Sequence, residues 1–169
     1  MVAPEELQNT IKMILALEPK GRAQALNCFL SGHDRHMGLQ FTLIETDRIE
    51  GYCDVTEKHL QVFGLVHGGV YASLSETFCS TGGAISVMST GRNVVGRSNS
   101  TKFLKAARAN QRLQISATSI DPLSDKILVW KCQIHDGEGL IFAVSEVELN
   151  VLTSDHVVGG EALQLLAKD

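Results

Sequence analysis

Residues 67–90 carry the densest chemistry in the chain. The run opens His67-Gly68-Gly69, and from Gly69 the residues Ser73, Glu76, Ser80 and Gly83 follow at steps of four, three, four and three. On a helix these five share one face. The rest of the run is largely apolar, through Val70, Tyr71, Leu74, Phe78, Ile85 and Val87. A lone carboxylate therefore sits on a stripe of small residues. Either that face is solvated or packs closely on another helix, or Glu76 lines a pocket in which its small neighbours leave room for a ligand.

The start of the run offers a complementary group. First-turn N–H groups lack intrahelical partners and attract anionic oxygens, so Gly68 and Gly69 can polarise a carbonyl and stabilise a developing oxyanion. The plainer reading is that they permit a tight turn. Gly68 and Glu76 are eight residues apart, about 12 Å along a helix axis, so one carbonyl cannot touch both. If both act on one carbonyl, a second copy of the chain supplies one of them. Two antiparallel helices across a twofold axis meet that need, which predicts a homodimer with two equivalent shared sites.

The elements that hold these residues follow from periodicity. Residues 4–17 read as an amphipathic helix, with Pro4 in its first turn, Leu7, Ile11, Ile14 and Leu15 on one face, and Pro19 and Gly21 ending it. A second helical stretch covers 23–30, and 33–36 is a polar loop. Leu39, Phe41 and Leu43 alternate with polar residues in a strand over 38–46, and a turn at Asp47-Arg48 leads to a strand over 49–55. A connector at 56–66 precedes the long helix over 67–90, whose second half Gly82-Gly83 weaken and which Gly91 stops. Strands follow over 94–104, 112–121, 126–135 and 141–152, with turns at 122–125 and 136–139. A short helix is expected over 162–167. One helix followed by antiparallel hairpins is an α+β arrangement in which the sheet wraps the helix.

Composition narrows the function classes. The chain has 169 residues, 44% hydrophobic and 20% charged, with a net charge of −4. That length suits one domain, expected as a core over about 37–152 with an N-terminal helical extension (1–36) and a tail (153–169). The absence of a Lys/Arg run argues against nucleic acid as a partner. No apolar run approaches a membrane span, so no membrane partner is expected. Cys28, Cys53, Cys79 and Cys132 form no CxxC pair and read as small core residues of a reducing compartment. The early Glu5 and Glu6 fit neither a signal nor a transit peptide, so the cytoplasm is the expected location.

Gln61, then His67-Gly68-Gly69, then Glu76 and Ser80, followed by Phe103-Leu104-Lys105-Ala106-Ala107-Arg108-Ala109-Asn110, resemble the hotdog-fold thioesterases, in the branch of the 4-hydroxybenzoyl-CoA and phenylacetate-pathway-like enzymes. The resemblance covers roughly residues 37–152. It implies a hotdog fold, a curved antiparallel sheet around one long central helix, and hydrolysis of an acyl-CoA to free acid and CoA. It implies no cofactor beyond the CoA of the substrate, and homodimers that pair into a dimer of dimers. By position, Gly68 would give the oxyanion-hole N–H. Glu76 would act as general base for water or as nucleophile forming a mixed anhydride. Ser80 would orient the water or the carboxylate, and Gln61 and His67 would hold the thioester end or the loop around Gly68. Gln61, His67 and Gly68 would come from one subunit, Glu76 and Ser80 from its partner. CoA phosphates would meet Lys105, Arg108, Ser124 and Lys126, residues otherwise read as surface charge and turn. Ala106 stands where the family commonly has Pro, and Asn110 where Gly is usual; Asn tolerates positive φ.

Other readings have weaker support. A Cys79–His67 nucleophile pair lacks an orienting third group. His33, Asp34 and His36 form an H-D-x-H loop without further ligands, so no metal is expected. His59 and His135 read as surface or turn residues. A hotdog protein that binds an acyl ligand without hydrolysing it is the main alternative, and a hydratase would place its acid/base groups in motifs that are absent here.

Overall fold

The alternation of apolar and polar residues after Gly38 is realised as a six-stranded antiparallel sheet. The computed structural model describes residues 12–121, 124–153, 157–158 and 161–162. Residues 12–16 are helical, followed by α1 (Pro19–Phe29), α2 (Gly32–Met37), β1 (Leu39–Ile44), β2 (Arg48–Asp54), the long helix α3 (Gly68–Met88), β3 (Asn93–Phe103), β4 (Arg112–Ser119), β5 (Ile127–His135) and β6 (Ile141–Leu152). The strand order is β1-β2-β4-β5-β6-β3, antiparallel at every step. Helix α3 lies against β2 to β6. This is the hotdog arrangement.

The core forms where α3 meets the sheet. Leu74, Phe78 and Cys79 of the helix are fully buried with Ile115, Leu128, Trp130 and Leu149 of the strands; each large apolar side chain so buried contributes roughly 1.5–3 kcal/mol. Gly82 and Gly83 do not interrupt α3, contrary to the expectation from helix propensity. They lie where the helix passes closest to the sheet: a Cβ at Gly82 would stand 2.4 Å from the Trp130 indole, and one at Gly83 2.3 Å from Leu149.

The two sheet edges differ. On β1, the Asn27 side chain of α1 donates to the Phe41 carbonyl (2.8 Å) and accepts from the Phe41 N–H (2.9 Å), covering that edge as a neighbouring strand would. On the other side, the 11-residue β3 pairs only with β6 among the described residues. A register shift between Gly96 and Ser98 marks a bulge in this strand, a feature that re-aims side chains.

Three local expectations are corrected. Pro19 starts α1 instead of ending a helix, because a first-turn residue needs no N–H partner. Residues 33–36 lie within α2, which has no apolar period of its own and is closed by Gly38 at φ 70°. His59 is buried, 2% exposed: its Nδ1 accepts from Thr56 N–H and its Nε2–H donates to the Met37 carbonyl, both at 3.0 Å. The helix expected over 4–17 falls largely, and that over 162–167 mostly, outside the described residues. No helix among those described is long and apolar enough to cross a membrane.

Candidate active site

Glu76 lies in the middle of α3, half-buried, with its carboxylate turned onto β3. Oε1 accepts from Ser80 Oγ at 3.1 Å, one turn along the helix. Oε2 accepts from Asn99 Nδ2 at 2.9 Å. The floor beneath is Gly96, where a Cβ would come within 2.6 Å of Oε1. A recess of about 340 Å³ opens beside the carboxylate, lined by His33, Ala72, Ser73, Glu76, Thr77 and Asn99. Its wall from α2 is tied down by Thr77 Oγ1, which donates to Asp34 Oδ1 at 2.8 Å.

Gln61, His67 and Gly68 gather at the other end, around the start of α3. His67 caps the helix: its Nδ1 accepts the Gly69 N–H at 2.9 Å, which leaves the ring proton on Nε2 of a neutral imidazole. The Gly68 N–H has no acceptor among the described residues. Gln61 Oε1 accepts from the Phe63 N–H at 2.7 Å, so the carboxamide closes its own turn. This end is apolar at its surface, with Val62 93%, Phe63 80% and Phe103 58% exposed, and the Phe103 ring lies over Gly68.

The four basic or hydroxyl residues expected at phosphates divide into two groups. Lys105 and Arg108 are exposed on the segment after β3. That segment is held to the helix start by Val66 N–H on the Ala107 carbonyl (2.9 Å) and Ala107 N–H on the Tyr71 hydroxyl (3.0 Å). Ser124 and Lys126 lie at the opposite end of α3, where Asp125 pairs with Arg92 at 2.6 Å and Ser124 Oγ accepts from Ile127 N–H. Helix α3 is 21 residues long, about 30 Å, so one protomer does not bring the four together.

The competing chemistries lose support. Hydrogen bonding to Cys132 and burial push the Cys79 thiol well above the ordinary thiol range, which disfavours the thiolate a nucleophile needs. Asp34 of the H-D-x-H run is engaged with Thr77, and no group of three or more potential metal-binding side chains occurs among the described residues.

Residues 63–143 match the family model of the thioesterase superfamily. A Haemophilus influenzae protein named as an esterase is 32% identical over 69% of this chain and 83% of its own, and an esterase-named Mycobacterium tuberculosis protein is 39% identical over 70% and 85%. The chain belongs to the thioesterase superfamily. Among solved structures, a thioesterase from H. influenzae superposes with a TM-score of 0.71 at 30% identity, covering 78% of this chain and 90% of that one. As a thioesterase-superfamily member the chain is a thioester hydrolase. Sequence reasoning missed Asn99, which reads only as a polar strand residue, and the α2 wall of the recess; the signal available was the wholly polar run Ser98–Lys102 immediately after an apolar helix.

Proposed function

We propose that this thioester hydrolase cleaves an acyl-CoA to the free acid and CoA, using Glu76 of one protomer and the Gly68 helix start of another. The observation that carries this reading is the Glu76 carboxylate, fixed by Ser80 and Asn99 at the lip of a recess beside the uncovered edge of β3. A long uncovered strand edge invites pairing with a second copy, and twofold pairing there would bring a partner's helix start towards Glu76. Exposed Val62, Phe63 and Phe103 around that start would then be covered.

In the shared site the Gly68 N–H and helix start receive the thioester oxygen. Glu76 either takes a proton from a water that attacks the carbonyl carbon, or attacks that carbon itself to form a mixed anhydride that water then opens. In both routes the tetrahedral oxyanion collapses, the C–S bond breaks, and the CoA thiolate is protonated on departure. His67 can donate its Nε2–H at this end, and Gln61 shapes the preceding loop. Lys105 and Arg108 flank the same end and suit CoA phosphates; Ser124 and Lys126 would contribute only across an assembly, and dimers would pair into a dimer of dimers.

A hydrolysis screen over benzoyl-CoA and straight-chain acyl-CoAs tests this, with Glu76→Gln as the control. At least one substrate is expected to turn over in the wild type, with a loss of a hundredfold or more in the variant, about the scale of one catalytic acid/base group. Tight acyl-CoA binding without turnover would make the chain a ligand-binding relative instead.

A further inference from the structure

Asn99 stands on the exposed side of β3, yet every polar atom of its side chain is committed. Nδ2 donates to the Ala72 carbonyl at 3.1 Å and to Glu76 Oε2 at 2.9 Å. Oδ1 accepts from Thr101 Oγ1 at 2.7 Å. Thr101 Oγ1 lies 2.9 Å from Ser145 Oγ, its cross-strand partner on β6, and Ser145 Oγ lies 2.7 Å from Ser75 Oγ on the buried face of α3. Four side chains from three elements thus form one polar chain that ends on the carboxylate.

A carboxamide can be turned over at almost no steric cost, so its neighbours decide which end faces where. Turned over, Asn99 would set its oxygen against the Glu76 carboxylate and the Ala72 carbonyl, and its NH2 against a hydroxyl. The Thr101 hydroxyl, backed by buried Ser145 and Ser75, prevents that by donating to Oδ1. We propose that Asn99 is a positioning residue for the Glu76 carboxylate and that Thr101 acts through it by fixing the direction of the amide. This rests on the reading of Glu76 as the catalytic carboxylate. The geometry assigns Asn99 two tasks: it turns one carboxylate oxygen onto β3, and it favours the ionised form through a charge-assisted hydrogen bond.

The test measures kcat and KM across pH for the fastest substrate of the acyl-CoA screen. It uses wild type, Asn99→Ala, Asn99→Asp, Thr101→Val, the double variant Asn99→Ala/Thr101→Val, and Glu76→Gln. Asn99→Ala is expected to lower kcat on the order of tenfold to a hundredfold with little change in KM, the scale of a misplaced reacting group. Asn99→Asp removes the donor and adds a like charge, so the acid limb of its kcat/KM profile moves to higher pH by about one unit or more. Thr101→Val is nearly isosteric and is expected to lose several-fold in kcat. The double variant is expected to be no worse than Asn99→Ala alone, because residues acting through one another are not additive. Thermal unfolding confirms that each variant is folded.

An unmoved acid limb in Asn99→Asp together with near-wild-type kcat in Asn99→Ala overturns the proposal, as does full additivity of the double variant. If Glu76→Gln is inactive while the Asn99 variants behave as wild type, only the positioning role falls. If Glu76→Gln keeps wild-type activity, the catalytic reading of Glu76 falls and the role of Asn99 with it.

Discussion

The backbone of Gly96 is the floor on which the Glu76 carboxylate rests: a single Cβ there would stand 2.6 Å from Oε1 and 3.6 Å from Cδ. The contact involves the free end of a flexible side chain, so a methyl group is accommodated by moving the carboxylate and not by moving the sheet. Gly96→Ala is therefore expected to separate activity from stability. Turnover should fall on the order of tenfold to a hundredfold, as displacement of a reacting group by about an ångström does. The melting temperature should stay level or rise slightly, since Ala in a strand interior costs less backbone entropy than Gly. Parallel kinetics and thermal melts check this, and an equal loss of both would mean that the glycine serves the strand instead.

Gly82 makes the opposite kind of contact. Three atoms of the Trp130 indole lie within 2.9 Å of where its Cβ would be, and Trp130 is fully buried among core residues. A methyl group must displace the ring or lift α3 from the sheet. Overpacking of this kind costs about 1–3 kcal/mol, against roughly 1 kcal/mol gained in helix propensity. Gly82→Ala is expected to lower the melting temperature by a few degrees. An unchanged or higher value would show that the indole can retreat.

The architecture was legible wherever one pattern dominated a segment. Residues 141–152 alternate cleanly and form β6 with those limits, and α3 departs from its expected ends by one or two residues. What escaped depended on partners far apart in the chain. Residues 32–37 form a helix without an apolar period because Asp34 is held by Thr77, 43 residues away. His59 reads as polar surface, yet it is buried against a carbonyl 22 residues upstream. The site divides in the same way. Glu76 and Ser80 share a helix, and a step of four residues announces their contact. Asn99 reaches Glu76 only because β3 folds back beneath α3, and Thr101 meets Ser145 only through the register of β3 on β6. No local spacing encodes either meeting.

Burial of His59 has a consequence for pH. Burial pushes its pKa below the ordinary histidine value, nearby Lys58 and His36 act in the same direction, and the bond to the Met37 carbonyl opposes them. The folded state holds the neutral ring, whose Nδ1 must stay unprotonated to accept from Thr56. Below about pH 6.5 the unfolded chain takes up this proton more readily than the folded one. The stability contributed by the neutral ring is thus present above that pH and is lost as pH falls towards the folded value. The melting temperature is expected to drop between pH 7.5 and 5.5, and His59→Gln should shrink that drop. Identical pH dependence in wild type and variant would refute the assignment.

The shared site makes a prediction that no single-chain site can imitate. Gly68 is the first residue of α3, and His67 before it has φ −64° and ψ 136°, a conformation that suits a residue preceding proline. Proline is tolerated at the first helical position, so Gly68→Pro deletes the proposed oxyanion donor while leaving the helix in place. The Phe103 ring, at the exposed end of its strand, is free to move aside. Alone, this variant should lose about a hundredfold or more in kcat, and Glu76→Gln a comparable factor. Mixed in equal amounts with subunit exchange, half of the dimers become mixed. Each mixed dimer has one site that draws its helix start from the Glu76→Gln chain and its carboxylate from the Gly68→Pro chain, and that site is intact. Activity should recover to about a quarter of the wild-type value. If each site were built within one protomer, every site in the mixture would carry one lesion. Activity would then stay at the average of the two variants, however long the chains exchanged.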